Sequence, residues 1–315
     1  MAFYLGIDGG GTKTRCVLGN ETTVLATAVS GGCNIVRFGE IHAQESKARE
    51  SLHTAVRQAC AVAKISLEQI QTICIGAAGA ARPEIATKLR GFLAELNPQL
   101  DLEVVGDTVI ALEAAFGPGP GVIAIAGTGS VIYGRDASGH TARAGGWGFA
   151  ISDEGSGHWI GRHAISALLR ARDQGHETAL TALILEAWKL DTIDALIQHA
   201  NATPPPEFPR LFPIVVHAAD RGDTTARDLL VYAGTELAAL AGIVLRCVAP
   251  APPHVPVAMT GSVFRQSAEV RRVFYNHLEA SFPGIELRAD FVDPVMGALA
   301  LARAAGRAKT AEKEL

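Results

Sequence analysis

The chain has no run of Lys or Arg, and with a net charge of −4 and 19% charged residues it offers no basis for a nucleic-acid surface or an anionic membrane as partner. An anionic ligand must therefore be held by local geometry. Cysteine is sparse and odd in number: Cys16, Cys33, Cys60, Cys74 and Cys247 are widely scattered, with no C-x-x-C spacing. That excludes a disulfide framework or a sequence-local zinc or iron–sulfur cage, and leaves small reduced core residues as the expectation. No basic segment followed by an apolar stretch opens the sequence, and no run reads as the ~18 apolar residues of a membrane span. A soluble, cytoplasmic protein is expected. There is no G-x-x-x-x-G-K-[ST] phosphate loop, and no G-x-G-x-x-G leading into a helix.

What is present is enough apolar material, 48% of 315 residues, for two domains with real cores. AFYLGID, KTRCVLGN and TTVLATAV read as a three-strand meander. A helix over 41–63, a strand QTICIGAAG, a helix opened by Pro83 and a strand DLEVVGD running into helix TVIALEAAF follow. GPGPG, residues 117–121, is the densest Gly/Pro cluster and the predicted boundary. After it the pattern restarts: GVIAIAGTGSVIYGRDASGHTARAGG reads as the same meander again. Duplicated halves are thus expected, residues 1–117 and 118–293. A helix-rich region spans about 155–248, interrupted by the prolines at 204–206. One helix is predicted from VFRQSAEVRRVFYNHLEASF, a last Gly/Ala-rich helix from DPVMGALALARAA, and a frayed tail beyond it.

The chemistry-bearing stretches lie at strand ends. In GIDGGGTKT, residues 6–14, Gly9, Gly10 and Gly11 remove every Cβ from a turn while Thr12 adds a hydroxyl, as a backbone phosphate cradle requires. Asp8 either caps this hairpin or faces a ligand, where its carboxylate suits a hydrated Mg²⁺. A second small-residue hairpin, Gly127 to Ser130, occupies the equivalent place in the second half, and a pair of such hairpins suits the terminal phosphates of one nucleotide. Asp107 ends a strand and precedes a helix, so it reads either as an N-cap or as a general base toward a hydroxyl. GGWGFAISDEGSGHWIG, residues 145–161, combines two tryptophans, two carboxylates and six glycines. Trp147 amid glycines reads as ligand-facing and Trp159 as core. Asp153 reads as a helix cap, as a polar partner for a sugar, or both. His158 and His163 lack partners at metal-ligand spacing. Asn34 reads as a turn residue, and Gly261-Ser262 as a strand end where a flat base could lie close to the backbone.

Taken in order, GIDGGGTKT, CNIV, GAAG, GDTV, IAGTGS, GGWGFAISDEGSGHWIG, MTGS and DPVMGALALA resemble the BadF/BadG/BcrA/BcrD ATPase family, nearly end to end. Within it the resemblance is to the amino-sugar kinases. It implies an α/β actin/hexokinase/Hsp70-like fold of two ribonuclease H-like domains around an interdomain ATP cleft, the C-terminal helix at about 294–308 rejoining the first domain. It implies ATP and Mg²⁺ as cofactors. Asp8 would organise the metal; Gly10, Gly11, Thr12, Lys13, Thr128 and Gly129 would hold phosphates; Gly261 and Ser262 would flank adenosine. Asn34, Asp107, Gly146, Trp147 and Asp153 would contact the amino sugar, with Asp107 as base toward its 6-hydroxyl. GAAG and the last helix would form a small-residue hinge, and a homodimer is usual for such enzymes. The expected reaction is 6-phosphorylation of N-acetylglucosamine, with glucosamine as the alternative because the Ile151-Ser152-Asp153 element is closer to glucosamine-specific relatives. Two further readings are an activator ATPase, which needs paired cysteines for an iron–sulfur cluster, and a non-catalytic ATP-binding module.

Overall fold

The structure, a computed structural model, describes residues 2–33, 35, 41–249, 255–288 and 290–313. Three antiparallel strands open the chain: β1 (Phe3–Gly9), β2 (Lys13–Gly19) and β3 (Val24–Gly31). The β2–β3 turn is set by Asn20, whose side-chain oxygen accepts N–H bonds from Thr22 at 3.0 Å and Thr23 at 2.8 Å. Next come α1 (Ile41–Ala63), β4 (Ile70–Ala77), α2 (Pro83–Ala94), β5 (Asp101–Gly106) and α3 (Asp107–Phe116). β4 runs parallel to β1 and β5 parallel to β4, giving the sheet order β3-β2-β1-β4-β5. Pro83 stands at the first position of α2, where a missing N–H costs nothing.

A second meander follows: β6 (Gly121–Ala126), β7 (Ser130–Arg135) and β8 (Thr141–Gly145). Then come five helices, α4 (Gly157–Asp173), α5 (Ala179–Trp188), α6 (Ile193–Ala200), α7 (Phe212–Asp220) and α8 (Thr224–Val248), and the strand β9 (Val257–Thr260). β9 lies parallel to β6, so the order β8-β7-β6-β9 repeats β3-β2-β1-β4. A trace of the fifth strand survives as a parallel bridge between Val257 and Leu287, with N–H bonds from Val257 to Glu286 and from Arg288 to Val257, each 2.8 Å. The chain ends in α9 (Ser262–Gln266), α10 (Ala268–Ser281) and α11 (Pro294–Lys313). It divides into two compact units, Met1–Pro118 with Val292–Leu315, and Gly119–Phe291.

In the first unit α1 and α2 cover one face of the sheet through Leu52, Val56, Leu89 and Leu93, all fully buried. The other face carries α3 and α11, whose Ile110, Val295 and Leu299 pack on Tyr4, Val17 and Cys74. The helices meet closely: a Cβ on Gly297 would lie 1.9 Å from the Ile110 carbonyl oxygen. In the second unit one core joins the sheet to α4, α7, α8 and α10.

Four expectations are corrected here. The helix predicted from residue 263 onward is two, because Ser267 breaks it and caps α10 by accepting the Val270 N–H at 3.2 Å. The tail predicted to fray stays helical to Lys313. α8 is long and apolar enough to span a membrane, yet it is the central helix of the second core, with Leu230, Leu237, Val244 and Leu245 buried. Cys247, expected in the core, is exposed, while the other four cysteines are buried.

Candidate functional site

Because β1, β4 and β5 are parallel, their carboxyl ends share one edge of the first sheet, where open α/β sheets bind ligands. Asp8 stands there, opposite Gly76 on β4 and Arg15 on β2. Asp107 follows β5 on the same edge. It is the first residue of α3 rather than its cap; Gly106 holds the cap position, and an Asp107 carboxylate oxygen accepts the Thr108 N–H at 3.0 Å. A carboxylate in the first turn is favoured by the helix dipole. Asp8 is pushed up to about 6, first by burial and then by the charge of Asp107, while Arg15 and Lys13 oppose the rise. Two crowded carboxylates, one of them held back from ionising, are a donor set that a divalent cation would satisfy.

The β1–β2 hairpin is anchored below its tip. The Gly10 N–H donates to the Lys13 carbonyl at 3.0 Å, and the Gly10 carbonyl accepts the Cys33 N–H at 3.1 Å. Gly11 is half-buried, and Thr12 and Lys13 are exposed. Asn34, expected to contact a sugar, lies outside the described residues.

The second unit repeats the arrangement with β6 and β9. The Gly127 N–H closes the hairpin on the Gly129 carbonyl at 2.8 Å. Its carbonyls at Gly127 and Thr128 accept N–H bonds from Gly157 at 2.8 Å and His158 at 3.2 Å, so the hairpin is seated on the start of α4. Gly261, at φ +105°, passes so near Ala126 that a Cβ would lie 2.1 Å from its carbonyl oxygen. Ser262 begins α9, with its hydroxyl oxygen 4.0 Å from where a Gly127 Cβ would be. Thr128, Gly129, Gly261 and Ser262 are therefore gathered at one sheet edge.

Asp153 belongs with them. Its expected role as helix cap is taken by Ser156, whose hydroxyl accepts the Trp159 N–H at 3.1 Å. The Asp153 carboxylate instead accepts backbone N–H bonds from Ser130 and Gly148, and lies 2.8 Å from where a Gly129 Cβ would be. It is 8% exposed, and burial pushes its pKa up to about 6 against those two bonds. Trp147 is 66% exposed, with the Arg143 guanidinium 4.4 Å over its ring and bonded to the Gly145 carbonyl at 3.1 Å. Gly146 brings the chain to Trp147 at φ +69°. Trp159 is buried and stacks on His163 at 3.8 Å; His158 packs between Phe149 and Phe208.

Sequence reasoning passed over Arg15 and Asp293, whose side chains pair within the first unit. Asp293 precedes α11 as Asp107 follows the last strand before α3, so the duplication itself was the signal that could have found it.

Two α/β units built on the same meander plus parallel strand, each offering a Gly/Thr hairpin at its carboxyl edge, define an actin/hexokinase-type two-domain fold. The chain belongs to the BadF/BadG/BcrA/BcrD ATPase family, whose model matches residues 5–302. It is 31% identical over 307 residues to the N-acetylmuramic acid/N-acetylglucosamine kinase of Clostridium acetobutylicum, covering 96% of this chain and 99% of that one. To the N-acetyl-D-glucosamine kinase of Dictyostelium discoideum it is 27% identical, over 95% and 97% of the two chains. The solved structure of a candidate N-acetylglucosamine kinase from Chromobacterium violaceum matches with TM-score 0.71 at 27% identity, over 96% and 99%.

Proposed function

We propose that this chain is an ATP-dependent amino-sugar kinase that phosphorylates the 6-hydroxyl of N-acetylglucosamine. The observation that carries the reading is the pair Asp8 and Asp107 on one sheet edge beside the Gly10–Thr12 hairpin, in a chain alike end to end to a kinase of that substrate class. Asp107 accepts the hydroxyl proton as the oxygen attacks phosphorus; in a loose transition state the proton leaves late, so an ordinary carboxylate within hydrogen-bond reach suffices. Gly11, Thr12 and Lys13 offer phosphate oxygens backbone donors and one cation, Gly10 lets the phosphate approach because it carries no Cβ, and Thr128 and Gly129 offer backbone donors from the second hairpin. Gly261 and Ser262 border the adenosine. Asn34, Gly146, Trp147 and Asp153 serve the sugar, Trp147 giving its apolar face a flat wall. Asp8, with Asp107 beside it, would hold Mg²⁺, which supplies neutralisation of phosphate charge. Residues 1–117 with 294–308 act as one domain and 118–293 as the other.

The test is ADP release from Mg-ATP with N-acetylglucosamine, glucosamine, N-acetylmannosamine or glucose. Turnover dependent on N-acetylglucosamine supports the proposal. A preference for glucosamine moves the assignment to the free amine. Equal slow turnover with every sugar and with none leaves a plain ATPase and removes the kinase reading.

A further inference from the structure

Resting on the kinase reading, we propose that Asp153 is a positioning residue that ties the Trp147 loop to the phosphate hairpin, so that the sugar-side and nucleotide-side segments of the second unit move as one body. Its carboxylate accepts two backbone donors from different segments: the Ser130 N–H, at the end of the hairpin, and the Gly148 N–H, one residue past Trp147. The same carboxylate fills the space beside Gly129 that a side chain there would need.

The backbone closes the loop from the other side. The Asp153 carbonyl accepts the Ser156 N–H at 3.1 Å, and the helix that begins there returns the Gly157 and His158 N–H groups to the hairpin carbonyls. Asp153 holds φ +63°, a left-handed conformation that aspartate adopts more readily than most side chains. Bonds to an ionised acceptor are also the stronger class of hydrogen bond.

The experiment uses the full chain and two variants, Asp153→Asn and Asp153→Ala; asparagine tolerates the left-handed region and keeps one acceptor oxygen. Affinity for Mg²⁺ with a non-hydrolysable ATP analogue is measured without sugar. Weakening of about tenfold in both variants, at unchanged far-ultraviolet dichroism, is the expected result. Sugar affinity lost with analogue affinity intact would overturn the proposal, since Asp153 would then act on the sugar alone. Amide exchange gives an arm independent of variant folding. In the wild type Gly148 should be protected although its loop is exposed, and the analogue should slow its exchange several-fold further. Gly148 exchanging at the rate of an unstructured peptide overturns the proposal. Protection of Gly148 in a protein that turns over no sugar would support the tie while removing the kinase reading, so the two failures are distinguishable.

Discussion

The Arg15 guanidinium grips both carboxylate oxygens of Asp293, 278 residues away in the chain, with the Nη2–Oδ2 bond at 3.0 Å. It thereby ties β2 to the residue before α11, inside the first unit. Arg15 also faces Asp8 across the β1–β2 ladder and opposes the rise of its pKa, so one side chain serves both a structural pair and the acid pair's charge balance. Arg15→Lys keeps the charge and loses the planar fork. The pair is about a third exposed, at 29% and 36%, so its loss should cost only about 1 kcal/mol after solvent screening. Urea unfolding of Arg15→Lys, Asp293→Asn and the double variant should give a coupling energy above ~0.5 kcal/mol; strictly additive effects would show that the pair contributes nothing.

Asp8 makes the ligand-free protein's stability fall with pH. Folded, it keeps its proton to about 6; unfolded, only to its ordinary 3.8. Between these values the folded state binds the extra proton, so the stabilisation is whole below 3.8 and is lost as pH rises through about 6. Asp8→Asn removes this dependence. Without metal at pH 8 the variant should unfold at a higher temperature than wild type, by up to about 3 kcal/mol in stability, and should lose the stabilisation that added Mg²⁺ gives the wild type. A variant less stable than wild type at pH 8 would mean that the Asp8 carboxylate is well accommodated when charged.

The two meanders were legible because period-two apolar alternation and turn glycines are local signals, and the duplication because both halves carry them in one order. One-residue questions were not. DEGS contains two residues able to cap a helix, and only the fold shows that Ser156 caps while Asp153 turns back to Ser130 and Gly148. GD before a helix is equally ambiguous, and Gly106 took the cap. The break at Ser267 was hidden because apolar spacing continues through it, Phe264 and Val270 both reaching the core. The duplication could point to Asp293 alone, but not to its pairing with Arg15: no local pattern links a residue inside β2 to the residue before α11 until α11 is known to pack beside β1 and β2.

Asp107→Asn should keep nucleotide affinity and lower sugar-dependent turnover by roughly 10²–10⁴, the usual contribution of a general base. The side chain sits in the first turn of α3 and accepts its neighbour's N–H, a bond that the asparagine oxygen can also accept, so the fold should be unaffected. Single-turnover ADP formation with sugar present measures the effect. An unchanged rate removes Asp107 from the chemistry.

Trp147→Ala should raise the sugar KM at least tenfold while leaving the melting temperature within a degree or two. The ring is 66% exposed, and Arg143, whose guanidinium lies over it, keeps its bond to the Gly145 carbonyl without it. Loss of that contact costs about 0.5–1 kcal/mol at an exposed site. A large drop in melting temperature would show that the ring is structural, and an unchanged KM that no sugar stacks there.

Gly297→Ala tests whether the close approach of α11 to α3 is required. The added methyl would lie 1.9 Å from the Ile110 carbonyl oxygen and 2.6 Å from the Ala114 nitrogen, both backbone atoms of α3. Neither can rotate aside, so the helices must separate. Ile110, Val295 and Leu299, all fully buried beneath the crossing, would then lose contact with Tyr4 and Cys74 on the sheet. Overpacking of this kind typically costs 1–3 kcal/mol or more, which exceeds the gain of roughly 1 kcal/mol that alanine brings to a helix interior. Chemical denaturation should therefore show a net loss of about 1–2 kcal/mol. Gly91→Ala in α2, where nothing lies within 4 Å of the new methyl, should show the opposite sign and supplies the control.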